Sequence, residues 1–204
     1  MTGGVGNIVW QSSKVLRSQR PHQGATLWLT GLSGSGKSSL AIELERSLVA
    51  GGHPAYLMDG DNLRLWLTSD LGFSDAARRE NIRRTSEVAA LFADSGAIAI
   101  VGLISPFSSE RQRAREIHAE RGLSFHEIFL DTPLTECERR DPKGLYARAR
   151  RGEIPHFTGI DSPYERPQHA DIVVTPADGT PTEVAEAILR RLGLGPHPRP
   201  GPER

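Results

Sequence analysis

The chain predicts one α/β domain in which a parallel sheet is covered by helices on both faces. Three observations predict it. Short apolar runs alternate with longer amphipathic stretches from residue 25 to residue 192. The runs are apolar almost throughout, as strands buried on both faces are, rather than at every second position. The length, 204 residues, suits a single domain able to bury a core without covalent staples.

The elements follow in order. ATLWLT (25–30) reads as the first strand. Residues 37–50 read as a helix, with Leu40, Ile42, Leu44, Leu48 and Val49 supplying its apolar faces. PAYLMD (54–59) is the second strand, and residues 74–94 form a helix with Ile82, Thr85, Val88, Ala89 and Phe92 at helical spacing. AIAIVGLI (97–104) is a fully buried central strand, followed by a charged helix over 108–120. FHEIFLD (125–131) is the fourth strand, with a short helix after Pro133, and DIVVT (171–175) is the fifth. The last helix opens at TPTE. Thr180 is its N-cap, Pro181 its first position and Glu183 completes a capping box, with Val184, Ala187, Ile188 and Leu192 on the buried side.

Residues 1–23 read as an N-terminal segment, 24–192 as the domain, and 193–204, alternating Pro and Gly, as a disordered tail. Residues 139–167 break the strand–helix rhythm. They are rich in Arg, Lys, Gly and Pro with little apolar periodicity. So long an irregular stretch in a compact domain is usually functional, and this one reads as a mobile basic lid.

Composition excludes several classes. Twenty-five basic and 25 acidic residues leave zero formal charge, which argues against a broad footprint for nucleic acid. A single cysteine, Cys137, makes neither a disulfide framework nor a zinc cluster and reads as a packing residue. MTGGVGNIVW has no basic region leading into an apolar one, so no secretory signal is expected. No apolar run approaches the ~18 residues of a membrane span. The expectation is a soluble cytoplasmic protein.

GLSGSGKS (31–38) fits the phosphate-binding pattern Gly-x4-Gly-Lys-Ser, and it lies between a strand and a helix, as that pattern requires. Its glycines let backbone N–H groups curl around phosphate oxygens, and the helix N-terminus adds partial positive charge. Lys37 is placed for the β and γ phosphates, and the Ser38 hydroxyl for magnesium. The expected fold is therefore of the P-loop NTPase type, with ligands beyond the carboxyl ends of the strands. The expected ATP site comprises Gly31, Leu32, Ser33, Gly34, Ser35, Gly36, Lys37, Ser38 and Ser39.

The second strand ends on the same edge in YLMDGDN, two carboxylates one residue apart. Like charges that close need a cation or a proton to handle. Asp59 joins Ser38 as an expected magnesium ligand, and Asp61 is placed to orient an acceptor hydroxyl. There is no Asn-Lys-x-Asp stretch for reading guanine, and IVGLIS ends in serine where an ATPase motor would place an acid. A small-molecule phosphotransferase fits better. Arg64, Arg78 and Asn81 either clamp an anionic acceptor or form a solvated surface. Phe73 fits equally a core position or a stacking plate.

GLSGSGKS, DGDNLR, LGFSDAARRENIRR, LISPF, RDPKGLYARARRGEI and FTGIDSPYE, in this order over about residues 7–192, together resemble the adenylylsulfate (APS) kinases. The resemblance implies transfer of the ATP γ-phosphoryl group to the ribose 3′-hydroxyl of adenosine 5′-phosphosulfate, with magnesium as cofactor. It implies that Asp61 and Asn62 lie at the acceptor, and that Arg64, Arg78 and Asn81 hold its phosphosulfate. Phe73 and Phe157 would sandwich its adenine. Ile104, Ser105 and His156 would line the site, and Lys143 would sit near the transferred group. Arg140 would steady transition-state charge, and Gly179, in PADGT, would lie near the ATP adenine. Ser105 matches a serine described in the family as a phosphoserine intermediate. A serine nucleophile needs an adjacent base, and GLI and PF supply none, so direct transfer is expected. The resemblance also implies a homodimer and functional coupling to an ATP sulfurylase. Ser39, Gln11 and His156 depart from the usual family residues.

Overall fold

The computed structural model describes Val9, Gln11 and residues 13–195. Most of the expected tail, and part of the N-terminal segment, lie outside the described residues. The five strands are β1 (Ala25–Thr30), β2 (Ala55–Asp59), β3 (Ile98–Gly102), β4 (Ser124–Leu130) and β5 (Ile172–Val174). They form one sheet in the order β2-β3-β1-β4-β5, and every pairing is parallel. Seven α-helices are described: α1 (Lys37–Ala50), α2 (Gly60–Leu65), α3 (Asp75–Ser95), α4 (Ser108–Ala119), α5 (Leu134–Arg140), α6 (Leu145–Arg150) and α7 (Pro181–Arg191).

Every residue of β1 and β3 is buried, because helices cover both faces. Leu27, Leu29, Ile98, Ile100 and Ile128 pack with Leu44 and Leu48 of α1 and Ile188 and Leu189 of α7. Trp28, Ala99, Val101 and Phe125 face the other way, toward Ile82 and Ala89 of α3 and Ala114 of α4. With β1 in the middle, the turns after β1, β2, β3 and β4 share one edge.

Helix faces differ in part from the expectation. The buried stripe of α1 is Leu40, Ala41, Leu44 and Leu48, whereas Ile42 and Val49 are exposed. A residue two positions after Leu40 lies about 200° round the helix. The stripe of α7 is Val184, Ala185, Ile188 and Leu189, and Ala187 is exposed for the same reason relative to Ala185. The capping box is present: Thr180 Oγ1 accepts from Glu183 N, and Glu183 Oε2 accepts from Thr180 N at 2.8 Å. β2 begins after Pro54, which has no N–H to donate to a ladder. DGDN is not a simple turn, since it opens the short helix α2 with Asp59 as N-cap.

The 139–167 stretch has more regular structure than its sequence suggests. It holds α6, and Cys137, Tyr146, Ala149 and Phe157 form a small core of their own, with Leu32, Leu134, Leu145, Ile154 and Ile160 packed against it. Its apolar residues are spread over short elements, so no periodicity betrays them. Tyr146 Oη donates to Ser33 O at 2.9 Å, which seats this segment on the phosphate-binding loop. Cys137 is buried, as a packing residue would be. Within the N-terminal segment, Arg17 pairs with Asp94 and donates to the carbonyl of Arg121, tying 13–23 to the domain.

Candidate active site

The loop after β1 has the geometry its glycines demand. Gly34 has φ 72°, and a Cβ there would stand 3.0 Å from Cys137 O, so both handedness and space call for glycine. Lys37 Nζ donates to Gly31 O at 2.9 Å and Leu32 O at 2.7 Å, and reaches Ser35 Oγ at 3.4 Å. Its ammonium is folded back on its own loop. Burial lowers its pKa from 10.5 to about 8, against the nearby acids, which raise it. Leu32 belongs to the small core, and Ser35 O accepts from Thr132 Oγ1 at 3.1 Å. Gly36 precedes α1 as its left-handed cap, and Ser39 is exposed on the first turn. Arg140 lies beside the loop, with Nη1 4.0 Å from where a Gly36 Cβ would be and Nε bonded to Glu136 Oε1 at 2.8 Å.

Ser38 Oγ donates to Asp59 Oδ2 at 3.0 Å. β3 lies between their strands, and in register Asp59 faces Gly102. A Cβ on Gly102 would sit 3.9 Å from Asp59 Oδ2, so the carboxylate reaches toward the loop over a position with no side chain. A serine hydroxyl and one carboxylate are hard oxygen donors that suit magnesium, which keeps waters and substrate phosphates as its other ligands. No group of three or more His, Cys, Asp or Glu able to hold a metal exists among the described residues.

Asp59 Oδ1 accepts from Asp61 N at 2.9 Å, which turns the chain into α2 and presents Asp61. The Asp61 carboxylate pairs with Lys143 Nζ, 82 residues away, and this bond raises the Lys143 pKa. Asn62 is exposed on the same turn. Arg64, one turn on, lies over the Phe73 ring with its guanidinium carbon 4.3 Å from the centroid, and donates to Gly72 O at 2.9 Å.

Arg78 ties α3 to the 156–162 turn. Its Nε donates to Phe73 O at 2.9 Å, its Nη1 to Thr158 Oγ1 and its Nη2 to His156 O. Asn81 is buried, and its Oδ1 has no partner in the protein. Phe73 is 62% exposed, so the core reading of it fails. Phe157 is buried, edge-on to Tyr146 with centroids 5.0 Å apart, and no ring contact joins it to Phe73 among the described residues. His156 holds φ 58°.

Ser105 is buried with φ 40°. Its Oγ accepts from Trp28 Nε1 at 3.1 Å, and its carbonyl accepts from Arg111 Nη1 at 2.7 Å. Ile104 O accepts from Thr30 Oγ1 at 2.7 Å. Gly179 stands apart from the loop, in the turn before α7, which Thr182 links to Glu43 of α1 at 3.2 Å. Sequence reasoning passed over Trp28 and Arg111. Arg111 is buried, bonded to Glu127 at 2.8 Å and to Glu165 O at 2.6 Å. Nothing in SSERQRAREIHA distinguishes it from its exposed neighbours.

A phosphate-binding loop beneath paired carboxylates, with a basic segment seated across it, defines a small-molecule kinase. The family model for adenylylsulphate kinase matches residues 23–175. An adenylyl-sulfate kinase of Clostridium acetobutylicum is 50% identical, over 91% of this chain and 94% of its own length. The bifunctional enzyme CysN/CysC of Mycobacterium tuberculosis is 55% identical over 91% of this chain, which spans 30% of that protein's length. The solved structure of the M. tuberculosis APS kinase CysC in complex with AMPPNP and APS superposes with a TM-score of 0.82, at 56% identity over 85% of this chain and 99% of that one. The chain belongs to the adenylylsulphate kinase family.

Proposed function

We propose that this chain phosphorylates the ribose 3′-hydroxyl of adenosine 5′-phosphosulfate with ATP. The products are 3′-phosphoadenosine 5′-phosphosulfate and ADP. The observation that carries the reading is the pairing of Lys143 with Asp61 beside the Ser38–Asp59 bond, which sets two carboxylates and a lysine at the edge where the phosphate loop lies.

Backbone N–H groups of 31–39 cradle the ATP phosphates, and Lys37 leaves its loop carbonyls to meet the β and γ oxygens. Ser38 and Asp59 would hold magnesium, which when bound supplies charge neutralisation at the phosphates. Arg64, Arg78 and Asn81 take the phosphosulfate, Phe73 and Phe157 flank its adenine, and Ile104, Ser105, Asn62 and His156 line the remainder. The 3′-oxygen forms its bond to the γ-phosphorus as the bond to the β,γ-bridging oxygen breaks. The hydroxyl proton passes to Asp61, and the electron pair leaves on ADP. Lys143 and Arg140 balance the charge developing between two polyanions, a positioning and electrostatic contribution. Gly179 lies toward the ATP adenine. Residues 139–167 close over the pair and keep water from the γ-phosphate.

We place the enzyme in the cytoplasm, as a homodimer, supplied by an ATP sulfurylase. Leu65 and Trp66 are exposed apolar side chains that a contact between two copies would cover; a related APS kinase from Thiobacillus denitrificans is hexameric, so the dimer is the point to test. No described helix is long and apolar enough to cross a membrane. A coupled ADP assay with APS, adenosine or buffer as acceptor tests the activity. Turnover should require APS. Equal turnover with adenosine would indicate a nucleoside kinase, and turnover without acceptor a simple ATPase. Light scattering should read twice the chain mass.

A further inference from the structure

The turn at 156–162 carries two groups of the acceptor site and is built on an unfavourable backbone. His156 is left-handed with φ 58°, a region that costs a side-chain-bearing residue of this shape. The Asp161 carboxylate compensates. Its Oδ2 accepts from His156 N at 2.8 Å and its Oδ1 from Phe157 N, so two successive N–H groups enclose one anion as a backbone nest does. The Phe157 carbonyl closes the other side, accepting from Ile160 N, Asp161 N and Ser162 N at 3.0–3.2 Å. The outer surface of the same turn, His156 O and Thr158 Oγ1, is what Arg78 holds.

We infer that Asp161 is a positioning residue for the acceptor. Its carboxylate fills the His156–Phe157 nest and thereby fixes both the Phe157 ring and the Arg78 guanidinium. Both carboxylate oxygens of Asp161 are engaged by backbone N–H groups, and the residue is exposed, so its removal should leave the core intact. These two backbone bonds hold its pKa below the ordinary carboxylate value, although partial burial pulls the other way. The clamp therefore persists through neutral and mildly acidic pH. The inference deepens the proposed function and rests on it for the identity of the acceptor.

Asp161→Asn tests it, since an amide retains one acceptor oxygen and turns an N–H₂ against the second backbone donor. Two readouts are needed. Amide hydrogen exchange at His156 and Phe157 should accelerate by about 10-fold or more, the scale for a lost charge-assisted bond. KM for APS should rise about 10-fold while KM for ATP stays within about 2-fold and the melting temperature is nearly unchanged. Asp161→Ala should shift both readouts at least as far. Unaltered exchange overturns the clamp whatever the acceptor is. Accelerated exchange with an unchanged APS KM, or with both KM values raised equally, overturns the positioning role. Wild-type protein inactive toward APS would sink the kinase reading instead, with the exchange rates still deciding the clamp.

Discussion

Ser105→Ala separates two routes for the phosphoryl group. If the group rests on Ser105, alanine abolishes transfer. If the 3′-hydroxyl attacks ATP directly, alanine only alters the pocket. The Ser105 hydroxyl is enclosed, accepting from Trp28 Nε1 at 3.1 Å and lying 3.5 Å from Leu103 O. Neither partner is a base. The Asp61 carboxylate, assigned above to the 3′-hydroxyl, would have to serve two acceptors in turn. Direct transfer is therefore the expected route, and the variant should retain APS-dependent turnover, reduced about 10-fold or less through altered positioning. Stability should fall more visibly. Trp28 is fully buried, and its indole N–H loses its acceptor, at a cost of about 2 kcal/mol for an unsatisfied buried donor. For a domain of this size that lowers Tm by about 4–8 °C. The assay incubates wild type with γ-labelled ATP, removes nucleotide and adds APS. Labelled enzyme that passes its phosphoryl group to APS as fast as steady-state turnover, together with a folded but dead alanine variant, would refute direct transfer.

Other perturbations read other parts of the site. Lys37 should make ATP affinity pH-dependent: its pKa in the free protein, about 8, lies below the ordinary 10.5, while bound phosphates favour the charged form. Binding above pH 8 should therefore take up a proton, and the dissociation constant should rise toward about 10-fold per unit. A calorimetric titration flat between pH 7 and 9 contradicts this. In the window from about 8 to 10.5 the unfolded chain keeps a proton that the folded one has released, so this group's contribution to stability rises with pH there. Asp61→Asn should cut kcat by roughly 10² or more with a smaller loss of APS affinity; fast single-turnover transfer with collapsed affinity would make Asp61 a binding residue. Phe73→Ala should weaken APS by about 1–3 kcal/mol with an unchanged melting curve. Phe157→Ala should weaken APS similarly and also lower Tm, since a buried ring costs about 3 kcal/mol or more to remove; equal melting curves for the two variants would count against the burial argument.

Much of this site was legible along the chain because its determinants are local. A phosphate loop is written in consecutive residues, with glycines where φ must be positive and a lysine and serine at the start of α1. The capping box of α7 spans four residues. Strand ends are marked by the change from apolar run to Asp59 or Ser105, and a parallel sheet carries all such ends to one edge. What the tertiary structure alone decided depends on strand order and on packing between distant segments. Placing β3 between β1 and β2 makes Asp59 reach Ser38 across Gly102. Seating 139–167 on the loop brings Lys143 to Asp61 and buries Phe157 against Tyr146. Packing of α4 against the sheet gives Arg111 its partners Glu127 and Ser105, and the 139–167 segment adds the carbonyl of Glu165, although its own helix reads as a charged surface. Periodicity reports which side of an element is apolar, but not which neighbour covers it. Ile42, Val49 and Ala187 lie exposed because they fall off the buried stripes of their helices, whereas the apolar residues of 139–167 meet in a core of their own only through packing between short elements.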